Sequence, residues 1–100
     1  MTYRLTRTRD GAGDSGPMSM LFKCEPDGDW FRVVKDDNGE PVVEYGKPKL
    51  HYAVRVGSPY TRSYQQQDCW TTTPVIEILE ENENMVRFKT TNSEYIWEII

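Results

Sequence analysis

Apolar and polar residues alternate along much of the chain, and this period of two predicts β-strands. Successive side chains of a strand point to opposite faces, so an alternating segment presents one face to a core and the other to water. Residues 18–24 follow this pattern, because one side of the segment carries Met18, Met20, Phe22 and Cys24. We therefore predict a strand here, with its methionine-bearing side facing the core.

Residues 50–56 repeat the alternation, with His51 and Arg55 on the polar side. The apolar side of this segment carries Leu50, Tyr52, Val54 and Val56. The pattern predicts a second strand, in which His51 lies within the strand on the face that meets water.

A hairpin is predicted between these two strands. Residues 30–34 and 41–45 contain β-branched valines, which favour strands, and they flank the turn sequence 36–39. The turn ends in Asn38-Gly39, a pair that readily adopts the positive φ angles of a tight reversal. We therefore expect 30–34 to pair with 41–45.

The C-terminal third is typical of a β-meander. Residues 85–90 and 94–100 both alternate, and a short turn separates them. Tyr95 and Trp97 share one face of the last segment, whereas Ile96 lies on the other. Since both faces carry apolar side chains, this strand is predicted to be buried on both sides or to cover a partner.

The segment 75–81 is compatible with two structures. Ile76 and Ile78 fit one face of a strand, but Thr73-Pro74 is a reasonable beginning for a helix. The asparagines that follow the segment weaken a helical continuation, so a strand is favoured.

Together these segments predict a mostly-β fold with about six or seven strands and little helix, either a small antiparallel β-barrel or a two-sheet sandwich. Residues 10–17 and 57–68 are predicted to be irregular loops. The 100 residues form a single domain, 1–100, because a second core would leave each half too little apolar surface to bury.

Composition and charge narrow the range of functions. Apolar residues make up 37% of the chain, which is enough for a thin core, and the 12 aromatic residues supply much of it. The net charge of −4 argues against direct, non-specific binding to nucleic acid through phosphate neutralisation. The charge is uneven, since residues 1–23 carry a balance of +2 and residues 76–100 a balance of −4.

Candidate catalytic chemistry is sparse. His51 is the one histidine, and no cysteine or histidine pair has the spacing of a zinc site. The glycine-rich stretch 11–16 lacks the helix and lysine of a phosphate loop. Cys24 and Cys69 are expected to be reduced thiols rather than a disulfide framework. We therefore expect a protein that is not an enzyme and has no metal or cofactor.

The predicted location is the cytoplasm, without membrane association. The chain shows no charged-then-apolar leader, and no apolar run approaches the roughly 18 residues that a membrane span needs.

Binding is the more promising interpretation. Tyrosine, arginine and tryptophan supply large rigid contact areas at interfaces, and Tyr60, Arg62, Tyr64 and Trp70 lie on or beside the predicted 57–68 loop. These four residues are predicted partner contacts. The alternative is that Tyr64 and Trp70 fold back over the end of the barrel.

Residues 70–78, a threonine-rich strand, precede a hairpin whose turn reads Asn92-Ser93-Glu94-Tyr95. This arrangement is similar to the C-terminal ends of small uncharacterised accessory proteins of tailed bacteriophages, and the similarity covers about a third of the chain. The resemblance implies a viral accessory protein. Small acidic β-proteins of viral origin are often accessory factors that bind and block a host component, and anti-CRISPR proteins belong to that class.

On this basis we expect a binding protein located in the host cytoplasm. Its partner is predicted to be a host protein, such as a basic nucleic-acid-binding protein, met by an acidic surface formed by Glu77, Glu80, Glu81 and Glu83. One alternative is a small-ligand or nucleotide-binding barrel. Another is a virion or self-assembling component, such as a homodimer, that pairs through a C-terminal edge containing Ile96, Trp97 and Ile100.

Overall fold

Ten β-strands account for the secondary structure of residues 1–58 and 69–100, the residues that the computed structural model describes. In chain order, β1 to β10 span Tyr3–Arg7, Gly13–Gly16, Met18–Asp27, Trp30–Val33, Val43–Tyr45, Tyr52–Gly57, Cys69–Thr71, Val75–Glu81, Met85–Thr90 and Glu94–Ile99. The described residues contain no helix, so the predicted β class is confirmed, and 75–81 is a strand. The number of strands exceeds six or seven because several of them are only three to five residues long.

The strands form two antiparallel sheets. The first sheet has the order β2-β1-β10-β9-β8, and the second has the order β4-β3-β6-β7, with β5 also paired to β3. The radius of gyration of 13.4 Å agrees with the roughly 13 Å expected for a compact chain of this length.

The predicted pairing of 30–34 with 41–45 is confirmed only next to the turn, where the Val42 amide donates to the Val34 carbonyl and Lys35 forms a bridge with Pro41. Both β4 and β5 pair instead with β3, one after the other along the same stretch of chain. Lys23 lies at the junction, because its carbonyl accepts from the Val34 amide and its own amide donates to the carbonyl of Val42. The Asn38-Gly39 turn does form, with Gly39 at a φ of 78°. It lies in the loop that connects β4 to β5, between the bridged residues Lys35 and Pro41.

The core lies between the two sheets. Its fully buried side chains come from six strands and from both sheets: Leu5, Leu21, Val54, Val56, Val75, Val86, Phe88 and Trp97. Trp97 donates from Nε1 to the hydroxyl of Ser19 at 2.9 Å, and that hydroxyl donates to the Gly46 carbonyl at 2.7 Å. This short chain of hydrogen bonds connects the sheets inside the core.

The prediction that the methionine-bearing side of 18–24 faces the core is wrong. Ser19 and Leu21 are buried on the core side, whereas Met18, Met20 and Phe22 are half-buried on the outer face of the second sheet. Cys24, the fourth residue of the predicted side, is buried but does not belong to the core cluster. Alternation separates two faces but does not say which is inner when both are apolar. Here the core face is the one that brings the serine hydroxyl to the tryptophan of the opposite sheet.

The strand predicted for 50–56 begins later than expected. β6 starts at Tyr52, and His51 lies in the preceding turn with a φ of 69°, a left-handed conformation that is uncommon for residues with a side chain. Leu50 is therefore exposed rather than part of the core. Val54 and Val56 are fully buried, as predicted.

The stretch 10–17, predicted to be irregular, contains the regular strand β2. Its glycines permit close packing: a Cβ at Gly13 would overlap the Leu5 carbonyl, and one at Gly16 would overlap the carbonyl of Gly57. Glycine is needed at both positions because two backbones approach each other there. β2 is a regular strand despite its glycines because it pairs with β1.

The C-terminal strand occupies the middle of the first sheet, between β1 and β9. Tyr95 and Trp97 are buried on its inner face, and Ile96 is half-buried on its outer face. β10 is therefore not an exposed edge of the sheet, and self-association of the chain stays a prediction.

Candidate binding surface

The outer face of the second sheet carries an apolar depression of about 380 Å³, which we call the outer-face pocket. Its apolar lining comes from three strands and the loops beside them: Phe22, Cys24, Phe31, Val33, Pro41, Ala53 and Pro74. Polar groups are contributed by Arg55, Thr71 and Thr72. This pocket occupies the face that carries the unexpected apolar residues of β3.

Strand register explains why space is left at this position. Phe22 lies directly opposite Ala53, and residues directly opposite in an antiparallel pair project to the same side. The short alanine side chain therefore leaves room beside the phenylalanine ring. Phe31, which comes from β4, lines another part of the space and is tilted against His51, with ring centroids 5.7 Å apart.

Arg55 is the cationic group of the pocket. Its guanidinium carbon lies 4.7 Å from the centre of the Phe22 ring, and its Nε donates to the Thr71 hydroxyl at 2.9 Å. Within residues 1–58 and 69–100, no ion pair involves Arg55. A guanidinium has five N–H donors, so most of them have no protein acceptor in these ranges.

A second depression, of about 220 Å³, continues the surface. It shares Phe31 and Pro74 with the outer-face pocket, and it adds Asp29 and Trp30 to the lining. Trp30 is 79% exposed, an unusual state for the largest apolar side chain. We call the two depressions together the aromatic groove.

Of the residues predicted to contact a partner, Tyr60, Arg62 and Tyr64 lie outside the described residues. Trp70 is half-buried and packs against the core. Its indole nitrogen lies 3.4 Å from the Tyr95 hydroxyl, and the Arg7 guanidinium carbon is 5.1 Å from its ring centre. Trp70 therefore contributes to core packing, and its role as a partner contact stays a prediction.

The four predicted acidic residues lie on and just after β8, at the edge of the first sheet. Nearby cations partly balance them. Arg87 lies 4.0 Å from Glu80, and Lys47 lies 3.9 Å from Glu81. Glu77 is opposite Lys89 in the strand register. The acidic surface is therefore a mixed-charge edge rather than an uncompensated patch.

Titratable groups elsewhere form structural contacts. Tyr52 donates its hydroxyl proton to Glu44, and Lys49 donates to the same carboxylate at 2.7 Å. These bonds from Lys49 and then Tyr52 lower the pKa of Glu44, and the bond to Glu44 raises the pKa of Tyr52. Both shifts keep the groups in their ordinary states at neutral pH, which does not favour proton transfer.

No metal centre is evident in the parts of the chain that the structure describes, since no three His, Cys, Asp or Glu side chains there are grouped to bind an ion. None of the described residues belongs to a helix with the length and apolar content that crossing a membrane requires.

The aromatic groove was not predicted from the sequence. The sequence pattern predicts a hairpin strand that contains Trp30 and Phe31, and it predicts that Phe22 faces the core. The sequence of residues 18–24 does contain a signal for a second apolar face. Leu21 is apolar, although it lies on the side of the strand opposite the methionines. An apolar residue on each face indicates a strand whose second face also meets something other than water.

Comparison of the chain with protein-family models, with curated proteins and with solved structures finds no match. The similarity to bacteriophage accessory proteins therefore stays a prediction.

Proposed function

We propose that this protein is a non-enzymatic binding domain that contacts a protein partner through the aromatic groove. The observation that carries the proposal is the position of Trp30, which is 79% exposed beside an apolar pocket. That pocket contains Arg55, which has no carboxylate partner in the described ranges. Tryptophan and arginine are the residue types most enriched among the energetically dominant residues of protein interfaces.

Exposed apolar area supports the same proposal. Val33 on β4 is 43% exposed, and Tyr45 on β5 is 71% exposed. Both residues belong to strands that pair with β3, so they lie on the same sheet as the pocket. Val33 also lines the outer-face pocket, and exposed apolar side chains grouped at a pocket are a common mark of interaction sites.

The source of the partner follows from the resemblance rather than from the groove. If the chain is a bacteriophage accessory protein, the partner is a host protein, and a host defence component is the class we favour. Such a protein would act by occupying a surface that its partner needs.

The test is affinity capture from a bacterial host extract with three forms of the chain: the wild type, Trp30→Ala and a control, Ile76→Ala. Ile76 is also a large exposed apolar residue, at 45%, but it lies on β8 of the other sheet. We expect one protein to be retained by the wild type and by Ile76→Ala and lost with Trp30→Ala. Equal retention by all three forms would contradict a role for the groove, provided that their unfolding midpoints match.

A further inference from the structure

The aromatic groove also indicates what kind of partner segment it recognises. We infer that it binds an extended peptide segment in which a carboxylate side chain contacts Arg55 and a neighbouring aromatic or aliphatic side chain fills the outer-face pocket. This inference rests on the proposed function and adds the chemistry of the partner.

The carboxylate follows from the state of Arg55. Its guanidinium carbon lies 4.7 Å from the centre of the Phe22 ring, and its Nε donates to the Thr71 hydroxyl at 2.9 Å, so two contacts restrict the position of the planar group. A guanidinium held in this way presents its remaining donors as a fork that matches the two oxygens of a carboxylate. Little side-chain freedom is then left to lose when the acid binds.

The apolar neighbour follows from the pocket itself. Its volume of about 380 Å³ is near the lower end of the roughly 300–1,000 Å³ typical of ligand sites. Phe22, Phe31 and Pro74 supply apolar walls beside the arginine. The pocket therefore suits a single large side chain next to the acid better than a polar group alone.

Three features favour a peptide segment over a free small acid. The surface continues past Phe31 and Pro74 into the second depression, where Trp30 is exposed. Asp29 lines only that second depression, so the groove has a cation at one end and an anion at the other. β4 is also the edge strand of its sheet, and edge strands can bind an extended chain by strand addition.

The experiment selects from a random 12-residue peptide library displayed on phage, with the full chain immobilised. Selection on the wild type is expected to enrich Asp or Glu at a fixed spacing from Phe, Trp or Leu. A synthetic peptide of the enriched sequence should bind Arg55→Gln at least about tenfold more weakly than the wild type, because one charge-assisted contact is lost. Replacing the acid of the peptide with its amide should have the same effect, and combining both changes should weaken binding little further.

Several results would overturn the inference while leaving the proposed function intact. Selected peptides that depend on Trp30 but lack a conserved acid would do so, as would peptides whose affinity is the same for Arg55→Gln. Binding of 4-phenylbutyrate, measured by NMR titration, at an affinity equal to that of the peptide would assign the pocket to small acids. By contrast, peptides that bind without dependence on Trp30 would contradict both proposals. Matching unfolding midpoints for Arg55→Gln and the wild type serve as the folding control.

Discussion

The indole nitrogen of Trp97 lies 2.9 Å from the hydroxyl oxygen of Ser19, and this hydrogen bond crosses the core from the first sheet to the second. A buried indole N–H needs an acceptor, since leaving a polar group unpaired away from water is unfavourable. The serine in turn donates to the Gly46 carbonyl. One hydroxyl therefore pairs two polar groups and fixes which face of β3 is inner.

Ser19→Ala should destabilise the protein by about 1–3 kcal/mol, because it leaves the Trp97 N–H without its acceptor and the Gly46 carbonyl without that donor. Urea unfolding followed by tryptophan fluorescence measures the loss. Ser15→Ala, on the exposed face of β2, is the control and should change little. A double-mutant cycle with Trp97→Phe should show coupling between the two positions, and independent effects would contradict the hydrogen-bonded pair.

The alternation of apolar and polar residues predicts where most strands lie, but it does not predict which strands pair with each other. The alternation in 18–24 and in 50–56 identified β3 and most of β6, because side-chain direction is a local property of the extended chain. The burial of Ser19 was not predictable, since its reason is a tryptophan 78 positions away. Likewise, the Asn38-Gly39 turn was predictable, but the pairing of β4 and β5 with β3 depends on long-range contacts.

The candidate surface was harder to predict for the same reason. Phe22 is an ordinary core residue by its pattern, and it belongs to a pocket only because Ala53 is its partner on the next strand. Arg55 was placed correctly on the side opposite Val54 and Val56, the fully buried residues of β6. Its contacts with Phe22 and Thr71 could not be predicted, because they depend on how β3, β6 and β7 are aligned.

Gly16→Ala should be more disruptive than an alanine at a glycine in open space. A methyl group at Gly16 would overlap the backbone of Gly57, so β2 must move away from β6. Overpacking of this kind destabilises by about 1–3 kcal/mol or more. Gly11→Ala is the comparison, because Gly11 has open space and only a positive φ of 74°, which should give a smaller loss. The unfolding temperatures of the two variants test this prediction. A larger decrease for Gly11→Ala than for Gly16→Ala would contradict close packing of β2.

Asp10 should contribute to stability in a pH-dependent way. A hydrogen bond from Arg7, followed by one from the Ala12 amide, lowers the pKa of Asp10 from 3.8 to about 2. Since the folded pKa is the lower one, the stabilisation is fully present above about pH 3.8 and is lost as the pH falls through about 2. NMR titration of the Asp10 carboxyl should report the low pKa, and Arg7→Gln should return it toward its ordinary value. An unchanged pKa in that variant would show that the arginine is not the cause.

The two cysteines should differ in reactivity. Burial raises the pKa of the Cys24 thiol, and Cys24 is buried in the lining of the outer-face pocket, whereas Cys69 is half-buried. Thiolate is the reactive form, so the variant that retains only Cys24 should react with a disulfide reagent at least about tenfold more slowly than the variant that retains only Cys69. Stopped-flow absorbance at pH 7.5 measures both rates. Equal rates would mean that solvent reaches Cys24 in the outer-face pocket as readily as it reaches Cys69.

Charge reversal on β8 tests whether the partner binds the acidic surface or the aromatic groove. Glu80 and Glu81 are each more than a third exposed, and their nearest cations are 4.0 and 3.9 Å away, so reversing both charges should change the free energy of unfolding by less than about 1 kcal/mol. The Glu80→Lys, Glu81→Lys variant therefore remains folded and suits a binding measurement. Since the aromatic groove is lined by residues of other strands, this variant should retain the captured partner while Trp30→Ala loses it. Loss of the partner with the reversed charges, together with binding that weakens sharply from low to high salt, would instead place the contact on β8.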